Sequence, residues 1–380
     1  MRRIFELCFG VLLCLALAGP AQASGYSDLN AGIEYLTHGD ADDAIKLLNS
    51  ALTSPDLPAK LKPVAYFDRG AAYETKGNTA QAIADMSACL ALAPDYSEAL
   101  FRRGYLLEEN KQSQAALADL SALVSKRPYL PLPYILRGAI YADEKNTEAA
   151  IADYGHVISL EPKSSRSYIV RAELYRSIGR YREALDDNDE AISLSANSGE
   201  AYTERGRTYE AKGDYNSALS DYRKGVTLTP GDRDGYLLIG LLQWNTSHFR
   251  DSIDSFEHWM RDSPSAYAAI WINLARNRAN QPATELTQTA SKFDLGKWPG
   301  AVVRLLMGTA SPQDAFKAAN VGDAAAVPGQ ICEANFYIAQ WYLLHQNAVA
   351  ARPMLEKAAT SCPKDFIELR SASAELKRLP

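Results

Sequence analysis

The side chains that most often carry out catalysis are scattered along this sequence. There are five histidines, and the closest two, His248 and His258, do not have the four-residue spacing of a helical metal site. The sequence has no Gly-x-Ser-x-Gly turn, no phosphate-binding loop ending in Gly-Lys-Ser or Gly-Lys-Thr, and no Cys-x-x-Cys pair. Acidic runs at 40–43 and 186–190 lack the glycine and the terminal Glu of a calcium-binding loop. These patterns indicate a non-enzymatic protein without a metal or a cofactor.

The first residues have the pattern of a bacterial secretory signal peptide. Two arginines precede an apolar stretch at 4–18, and a small-x-small cleavage site, Ala-Gln-Ala, ends at Ala23. We therefore expect the mature chain to begin near Ser24 and to be periplasmic. Cys14 leaves open the alternative of an outer-membrane lipoprotein, although the residue before it is Leu rather than a small residue.

Charge and hydropathy narrow the possible partners. The chain has 40 Lys and Arg residues against 46 Asp and Glu residues, and its formal charge of −6 is spread without long blocks of one sign. A mildly acidic chain of this kind is a poor electrostatic match to nucleic acid or to anionic lipid. After the signal peptide, no segment approaches the roughly 20 apolar residues that a membrane span needs.

A 34-residue period organises most of the chain. A column of small residues recurs at this interval, at Gly70, Gly104, Gly138, Ala172, Gly206 and Gly240. An aromatic residue or Leu lies four residues before each of them, Ala lies twelve residues after most of them, and Pro closes most units. The pattern is typical of tetratricopeptide repeats, in which two helices approach closely at the small residues and successive repeats stack. It predicts an all-α fold, a right-handed superhelical solenoid of helix–turn–helix repeats.

The period also predicts the domain boundaries. We expect a signal peptide at 1–23, seven consecutive repeats at 24–264, a degenerate helical segment at 265–331, and a C-terminal repeat with a capping helix at 332–380. Within the degenerate segment, 268–279 and 284–293 still have helical patterns. Breaks are expected at 298–300 and 327–329, where Pro and Gly are adjacent.

Five central repeats share an Arg and an Asp at fixed positions. Arg precedes the small column, and Asp follows that Arg by sixteen residues, at Arg69 and Asp85, Arg103 and Asp119, Arg137 and Asp153, Arg171 and Asp187, and Arg205 and Asp221. The repeats headed by Gly32 and Gly240 lack both members. Joint presence and joint loss predict an Arg–Asp ladder, within each repeat or to its neighbour. The alternative is that these are solvated charges with a shared repeat ancestry.

In such a solenoid the first helix of each repeat lines the concave surface, which is the expected protein-binding site. The repeat phase places these residues there: Phe67, Phe101, Tyr105, Ile135, Ile169, Arg207, Leu237, Leu241 and Trp244, with the charges Glu98, Arg166, Glu173, Glu200 and Asp234. An apolar and aromatic groove with mixed charge suits an extended or helical peptide. The alternative for each apolar residue is packing against the adjacent repeat.

Three cysteines follow the signal peptide. Cys332 lies at the start of the first helix of the last repeat, and Cys362 lies just beyond the end of its second helix. Since antiparallel helices bring these two ends together, we expect a disulfide, which would contribute roughly 3 kcal/mol on the chain-entropy model. Cys89 occupies a column usually held by Ala and is expected to be a small buried residue.

The C-terminal half resembles a particular family. The segments 271–275, 297–308, 332–344 and 366–368, within roughly residues 200–378, are similar to NlpI-type tetratricopeptide proteins of the Gram-negative cell envelope. The resemblance implies an adaptor, often homodimeric, that brings peptidoglycan hydrolases and an envelope protease together. The expected function is thus a non-enzymatic periplasmic scaffold. The alternative is an assembly factor for secretion, pilus or exopolysaccharide export machinery.

Overall fold

The computed structural model describes residues 24–261, 264–364 and 366–379, so the expected signal peptide and Cys14 lie outside the described residues. Two compact units divide the chain, the first extending to Pro162 and the second beginning at Lys163. We call them the N-terminal and the C-terminal unit. The regular secondary structure of the described residues is helical throughout, which confirms the predicted fold class.

The N-terminal unit consists of four consecutive helix pairs. Its helices are α1 (Ser24–Thr37), α2 (Ala41–Thr53), α3 (Lys62–Thr75), α4 (Thr79–Leu92), α5 (Ser97–Glu109), α6 (Ser113–Lys126), α7 (Pro131–Asp143) and α8 (Thr147–Leu160). Each odd-numbered helix packs against the even-numbered helix that follows it and against the second helix of the preceding pair.

The C-terminal unit begins with three more pairs and ends with a less regular region. Its helices are α9 (Ser165–Ser177), α10 (Tyr181–Leu194), α11 (Gly199–Lys212), α12 (Tyr215–Leu228), α13 (Arg233–Asn245), α14 (Phe249–Met260), α15 (Ala266–Arg278), α16 (Glu285–Thr289), α17 (Gly300–Leu306), α18 (Pro312–Ala319), α19 (Val327–Leu344), α20 (Ala348–Ser361) and α21 (Ile367–Arg378). A 3₁₀ turn, Ala290–Lys292, follows α16.

The small-residue column allows the two helices of a pair to touch. A Cβ atom added to Gly206 would lie 2.7 Å from the ring of Tyr222, and one added to Gly240 would lie 2.6 Å from the ring of Phe256. Distances this short do not occur between real side chains, so a larger residue at Gly206 or Gly240 would push the second helix away. The aromatic rings of α12 and α14 therefore pack directly on the glycines of α11 and α13.

Each pair also turns in the same way. One residue between the helices has a left-handed backbone, seven residues after the small column: Gly39, Gly77, Lys111, Lys145, Gly179, Gly213 and Ser247. The same conformation recurs at Gln346 between α19 and α20. This shared turn identifies α19 and α20 as a helix pair of the same kind as the first seven.

The predicted Arg–Asp ladder is present in all five central pairs, within each pair. The Arg Nε donates to Asp Oδ2 at 2.7–2.8 Å, and Nη2 donates to Oδ1 at 2.6–2.8 Å. Four of these arginines also reach the second helix of the preceding pair through Nη1, at 2.5–3.1 Å, where the acceptors are Asn49, Ser87, Ser121 and Asp189. The Asp side chains are buried, so the alternative of solvated charges is wrong.

The structure differs from the sequence-based boundaries in the degenerate segment. A break was expected at 327–329, whereas α19 begins at Val327 and contains Pro328 in its first turn. Pro is tolerated there because the first backbone N–H groups of a helix have no carbonyl partner four residues earlier. The short helices α17 and α18, which the sequence did not predict, occupy most of the interval between 300 and 319.

The last pair is closed by a disulfide. Cys332 on α19 and Cys362 after α20 are bonded, with their Cα atoms 5.1 Å apart. Both cysteines are buried, and Cys89, which is free, is buried as well. The bond joins the two ends of the pair that the antiparallel arrangement brings together.

Candidate protein-binding face

The first helices of neighbouring pairs exchange ion pairs. Arg102 on α5 lies 2.8 Å from Glu74 on α3, and Arg176 on α9 lies 3.2 Å from Glu204 on α11. We call the side of the first helices that carries these residues, together with the predicted groove residues, the first-helix face.

The predicted charged residues of this face are accessible. Five of them are exposed, namely Glu98, Arg166, Glu173, Glu200 and Asp234. Arg207 is partly exposed and lies 3.3 Å from the carboxylate of Glu204. Burial raises the pKa of Glu204, while Arg207 and Arg176 oppose that rise. The face therefore offers charges of both signs to a partner.

The aromatic and apolar residues of the face divide into two groups. Phe67, Phe101, Tyr105, Ile135 and Leu237 are half-buried and keep part of their surface accessible. Phe67 stacks on Tyr96 with ring centroids 5.1 Å apart, and the guanidinium of Arg102 lies 5.5 Å from the Phe67 ring. These contacts hold the Phe67 ring in place while leaving it partly open to solvent.

Three predicted groove residues are buried instead. Ile169 packs with Ala191 and Ala201 between neighbouring helices of the C-terminal unit. Leu241 and Trp244 belong to the core that α13, α14, α15 and α19 share, where Trp244 meets Trp271 edge to face at 5.2 Å. The assignment of these three residues to the accessible groove is corrected. Ile169 is covered by the neighbouring helices α10 and α11, whereas Leu241 and Trp244 are covered by the chain beyond α14.

The last helix, α21, lies against α13 and brings arginines to the first helices of the C-terminal unit. Arg370 forms an ion pair with Glu210 of α11 at 3.3 Å. Arg378 donates to the carbonyl oxygen of Trp244 at 2.6 Å and to Ser247 Oγ at 2.8 Å. The C-terminal unit thus already holds a helix on part of its own first-helix face.

Glu375 anchors α21 between two arginines. It accepts hydrogen bonds from Arg278 Nη1 at 2.9 and 3.0 Å and from Arg378 Nη1 at 2.7 Å. Both guanidinium groups also lie over the ring of Phe249, at 4.5 and 5.2 Å. Charge-assisted hydrogen bonds and cation–π contacts therefore fix the end of the helix.

Two further carboxyl groups are enclosed near the start of α21. Glu333 accepts hydrogen bonds from the Tyr267 hydroxyl at 2.8 Å and from Trp298 Nε1 at 2.5 Å. Glu368 accepts a hydrogen bond from the Tyr337 hydroxyl at 2.7 Å. Burial, reinforced by the charge of Glu333, raises the pKa of Glu368 to about 7. The expected capping helix therefore turns carboxyl groups inward, and α21 is more than a solvent-facing cap.

We expect the stability of the C-terminal unit to fall as the pH rises from about 4.5 to about 7. The folded protein holds a proton on Glu368 over this range, whereas the unfolded chain has lost it, so deprotonation favours unfolding. The shift corresponds to a loss of about 3 kcal/mol. Urea denaturation at a series of pH values measures the change. Glu368→Gln should flatten the plot of the free energy of unfolding against pH. The control, Glu356→Gln at an exposed site on α20, should leave that plot unchanged. Identical plots for the two variants would contradict the assignment to Glu368.

Another carboxyl group with a raised pKa lies on the N-terminal unit. Burial raises the pKa of Asp68 on α3 to about 7, and the nearby charge of Arg102 opposes this rise. The pKa of the Tyr96 hydroxyl is raised chiefly by burial and, to a smaller extent, by the nearby charge of Asp68. Asp68 therefore keeps its proton below about pH 7, beside the stacked pair of Phe67 and Tyr96.

Several residues that shape the face were missed from the sequence. Glu74, Glu108 and Glu210 recur four residues after the small column, a signal that the period contains. Arg370 and Arg378 carried no such signal, because their partners lie more than 130 residues away along the chain.

Within residues 24–261, 264–364 and 366–379, no three His, Cys, Asp or Glu side chains are grouped so that they could hold a metal ion. None of the helices in those ranges combines the length and the apolar character needed to traverse a bilayer.

Comparison with protein families matches two models, both described as tetratricopeptide repeat. One matches residues 29–96 and 67–131, and the other matches residues 133–164 and 199–232. The matched stretches contain Phe67, Phe101, Tyr105 and Ile135 of the first-helix face.

Solved structures of similar fold share little sequence with this chain. The MamA protein is 23% identical over 44% of this chain and 92% of its own, with a TM-score of 0.43. A tetratricopeptide repeat protein from Parabacteroides merdae is 20% identical over 67% of this chain and 99% of its own, with a TM-score of 0.48. PilW, described as a type IV pilus biogenesis factor, is 15% identical over 56% of this chain and 96% of its own, with a TM-score of 0.43. None of these likenesses is close enough to carry an argument about partners.

Proposed function

The chain is a tetratricopeptide repeat protein, and from this premise we propose that it is a non-enzymatic scaffold that binds proteins or peptides through its first-helix face. The observation that carries the proposal is the docking of α21, which places Arg370 against Glu210 and Arg378 against the end of α13. A face that accommodates one helix in this way has the chemistry to accommodate another, because its aromatic and charged residues recur from repeat to repeat.

The proposed location is the periplasm, reached through the signal peptide expected at 1–23. The disulfide between Cys332 and Cys362 supports a compartment in which such bonds persist. Anchoring through a lipid on Cys14 is the alternative. Cell fractionation distinguishes the two, because a soluble periplasmic protein is released with the periplasmic contents, whereas a lipoprotein stays with the outer membrane.

The proposed partners are enzymes of the cell envelope. The resemblance of residues 200–378 to NlpI-type proteins supports peptidoglycan hydrolases and an envelope protease as the class, and it supports a homodimer. An assembly role in secretion, pilus or polymer export remains the alternative, and both roles use a protein-binding face of the same kind.

Photo-cross-linking in the cell tests this proposal. A cross-linking residue is placed at Glu98 or Asp234, both exposed on first helices, and at Leu92 or Asp186, both exposed on second helices. We expect adducts with hydrolases or a protease from the first two positions and few from the last two. Adducts with secretion or export components would support the assembly role. Adducts from the second helices alone would show that the protein does not bind its partners through the first-helix face.

A further inference from the structure

Three glutamates occupy the same position in their repeats. Glu74 on α3, Glu108 on α5 and Glu210 on α11 each lie four residues after the small column. The residue 28 positions further along lies on the next first helix, as the Glu74 and Arg102 ion pair shows. The sequence therefore specifies which glutamates can find a cation on the neighbouring repeat.

Only the first of the three has such a neighbour. Arg102 lies 28 residues after Glu74, whereas Leu238 lies 28 residues after Glu210. The cation for Glu210 comes instead from α21, whose Arg370 lies 3.3 Å from its carboxylate. Glu210 also accepts a hydrogen bond from the Tyr222 hydroxyl at 2.7 Å. A distant helix thus supplies the charge that the next repeat does not.

Glu108 has the sequence context of Glu210. The residue 28 positions after it is Leu136, so the next first helix offers no charge. Its Oε2 atom is buried and has no hydrogen-bond partner among the described residues. A buried carboxylate oxygen without a donor is costly, and its pairing with a cation removes that cost. Glu108 therefore lacks the arginine that Glu210 receives from α21.

The surroundings of Glu108 favour a basic occupant. Glu98 and Glu109 are exposed on the same helix. The two arginines of α5 are already engaged, Arg102 with Glu74 and Arg103 with Asp119. The half-buried rings of Phe101 and Tyr105 lie seven and three residues before Glu108, which places them on the same side of α5. An apolar surface with excess negative charge complements a helix that carries arginine among apolar residues.

We propose that the N-terminal unit binds an arginine-bearing helical segment of another protein, with the arginine paired to Glu108 as Arg370 is paired to Glu210. This assignment rests on the proposed function, and it deepens that function by naming the chemistry of the partner segment. The helix α21 is the template, since it presents Arg370 one residue after Leu369 and three after Ile367.

Peptide display on the mature chain, residues 24–380, tests the assignment. A library of helical peptides of about the length of α21 is selected for binding, and the dissociation constants of the selected peptides are then measured for the wild type and two variants. Glu108→Gln keeps the shape of the side chain and removes its charge. Glu161→Gln removes one charge from an exposed site after α8 and serves as the matched control.

We expect arginine-containing peptides whose affinity drops about ten- to a hundredfold in Glu108→Gln and stays within about twofold in Glu161→Gln. Replacing the peptide arginine by Gln should weaken binding to the wild type and have little further effect on Glu108→Gln. Since Glu108→Gln removes the charge from a carboxylate whose Oε2 atom is buried without a partner, its urea midpoint should equal or exceed that of the wild type, which excludes misfolding as the cause.

Two results would overturn the assignment and leave the proposed function standing: selected peptides without arginine, or arginine peptides that bind Glu108→Gln as tightly as the wild type. A selection that enriches no peptide at all would count against both the assignment and the first-helix face as a binding surface. Charge reversal adds a positive test, because Glu108→Arg should accept a peptide in which the critical arginine is replaced by Glu.

Discussion

Replacing Asp221 by Ala is expected to lower the free energy of unfolding by about 3–5 kcal/mol. Asp221 holds the Nε and Nη2 atoms of Arg205 at 2.7 and 2.8 Å, and its side chain is only 8% exposed. Removal of the carboxylate leaves a guanidinium group between two helices without its main acceptor. The loss is therefore larger than the net contribution of the intact pair.

The same arginine supplies the control. Its Nη1 atom donates to Asp189 at 2.7 Å, but the side chain of Asp189 is 59% exposed. Water replaces an exposed partner, so Asp189→Ala should cost less than about 1 kcal/mol. Urea denaturation followed by circular dichroism measures both variants. Equal losses in the two variants would contradict the prediction, because they would mean that the burial of Asp221 does not make its ion pair more important than the exposed one.

Replacing Glu375 by Ala is expected to cost about 3–5 kcal/mol locally and to release α21 from α13. The Glu375 side chain is 1% exposed and meets Arg278 at 2.9 Å and Arg378 at 2.7 Å. Without the carboxylate, two guanidinium groups repel each other in a half-buried site. Amide hydrogen exchange over 367–378 should become much faster, while exchange in α3–α6 should be unchanged.

A matched ion pair on the same unit provides the comparison. Glu257 lies 2.6 Å from Arg276, but its side chain is 42% exposed. Glu257→Ala should therefore lower stability by less than about 1 kcal/mol and leave the exchange of α21 as it is. If the amide hydrogens of α21 exchange at the same rate in both variants, Glu375 does not anchor the helix.

The features that could be predicted from sequence are those that the period repeats. The small column, the Asp that follows each ladder Arg, and the disulfide ends all depend on residues that lie within one repeat or its turn. Local spacing determines such contacts, because a helix pair brings residues sixteen apart to the same level. The ladder was predicted for this reason, and its geometry is the same in all five pairs.

The features that could not be predicted depend on distant parts of the chain. Leu241 and Trp244 have the repeat phase of accessible residues, yet helices beyond α14 cover them. The charges of α21 are those expected of a helix that caps the solenoid, yet Glu375 is buried. It is enclosed by Arg278 at the end of α15 and by Arg378 in the last turn of α21. No period relates these segments, so only the folded chain shows which first-helix positions are already occupied.

The docking of α21 also sets a threshold for ligands. A helix tethered to the surface that it covers competes at an effective concentration in the millimolar range. A free peptide that binds the Glu210 position must compete with Arg370 of α21, whereas Glu108 Oε2 has no hydrogen-bond partner among the described residues. Under the proposed function, we therefore expect weak ligands to bind the N-terminal unit, and only strong ones to reach the position that the chain's own last helix holds.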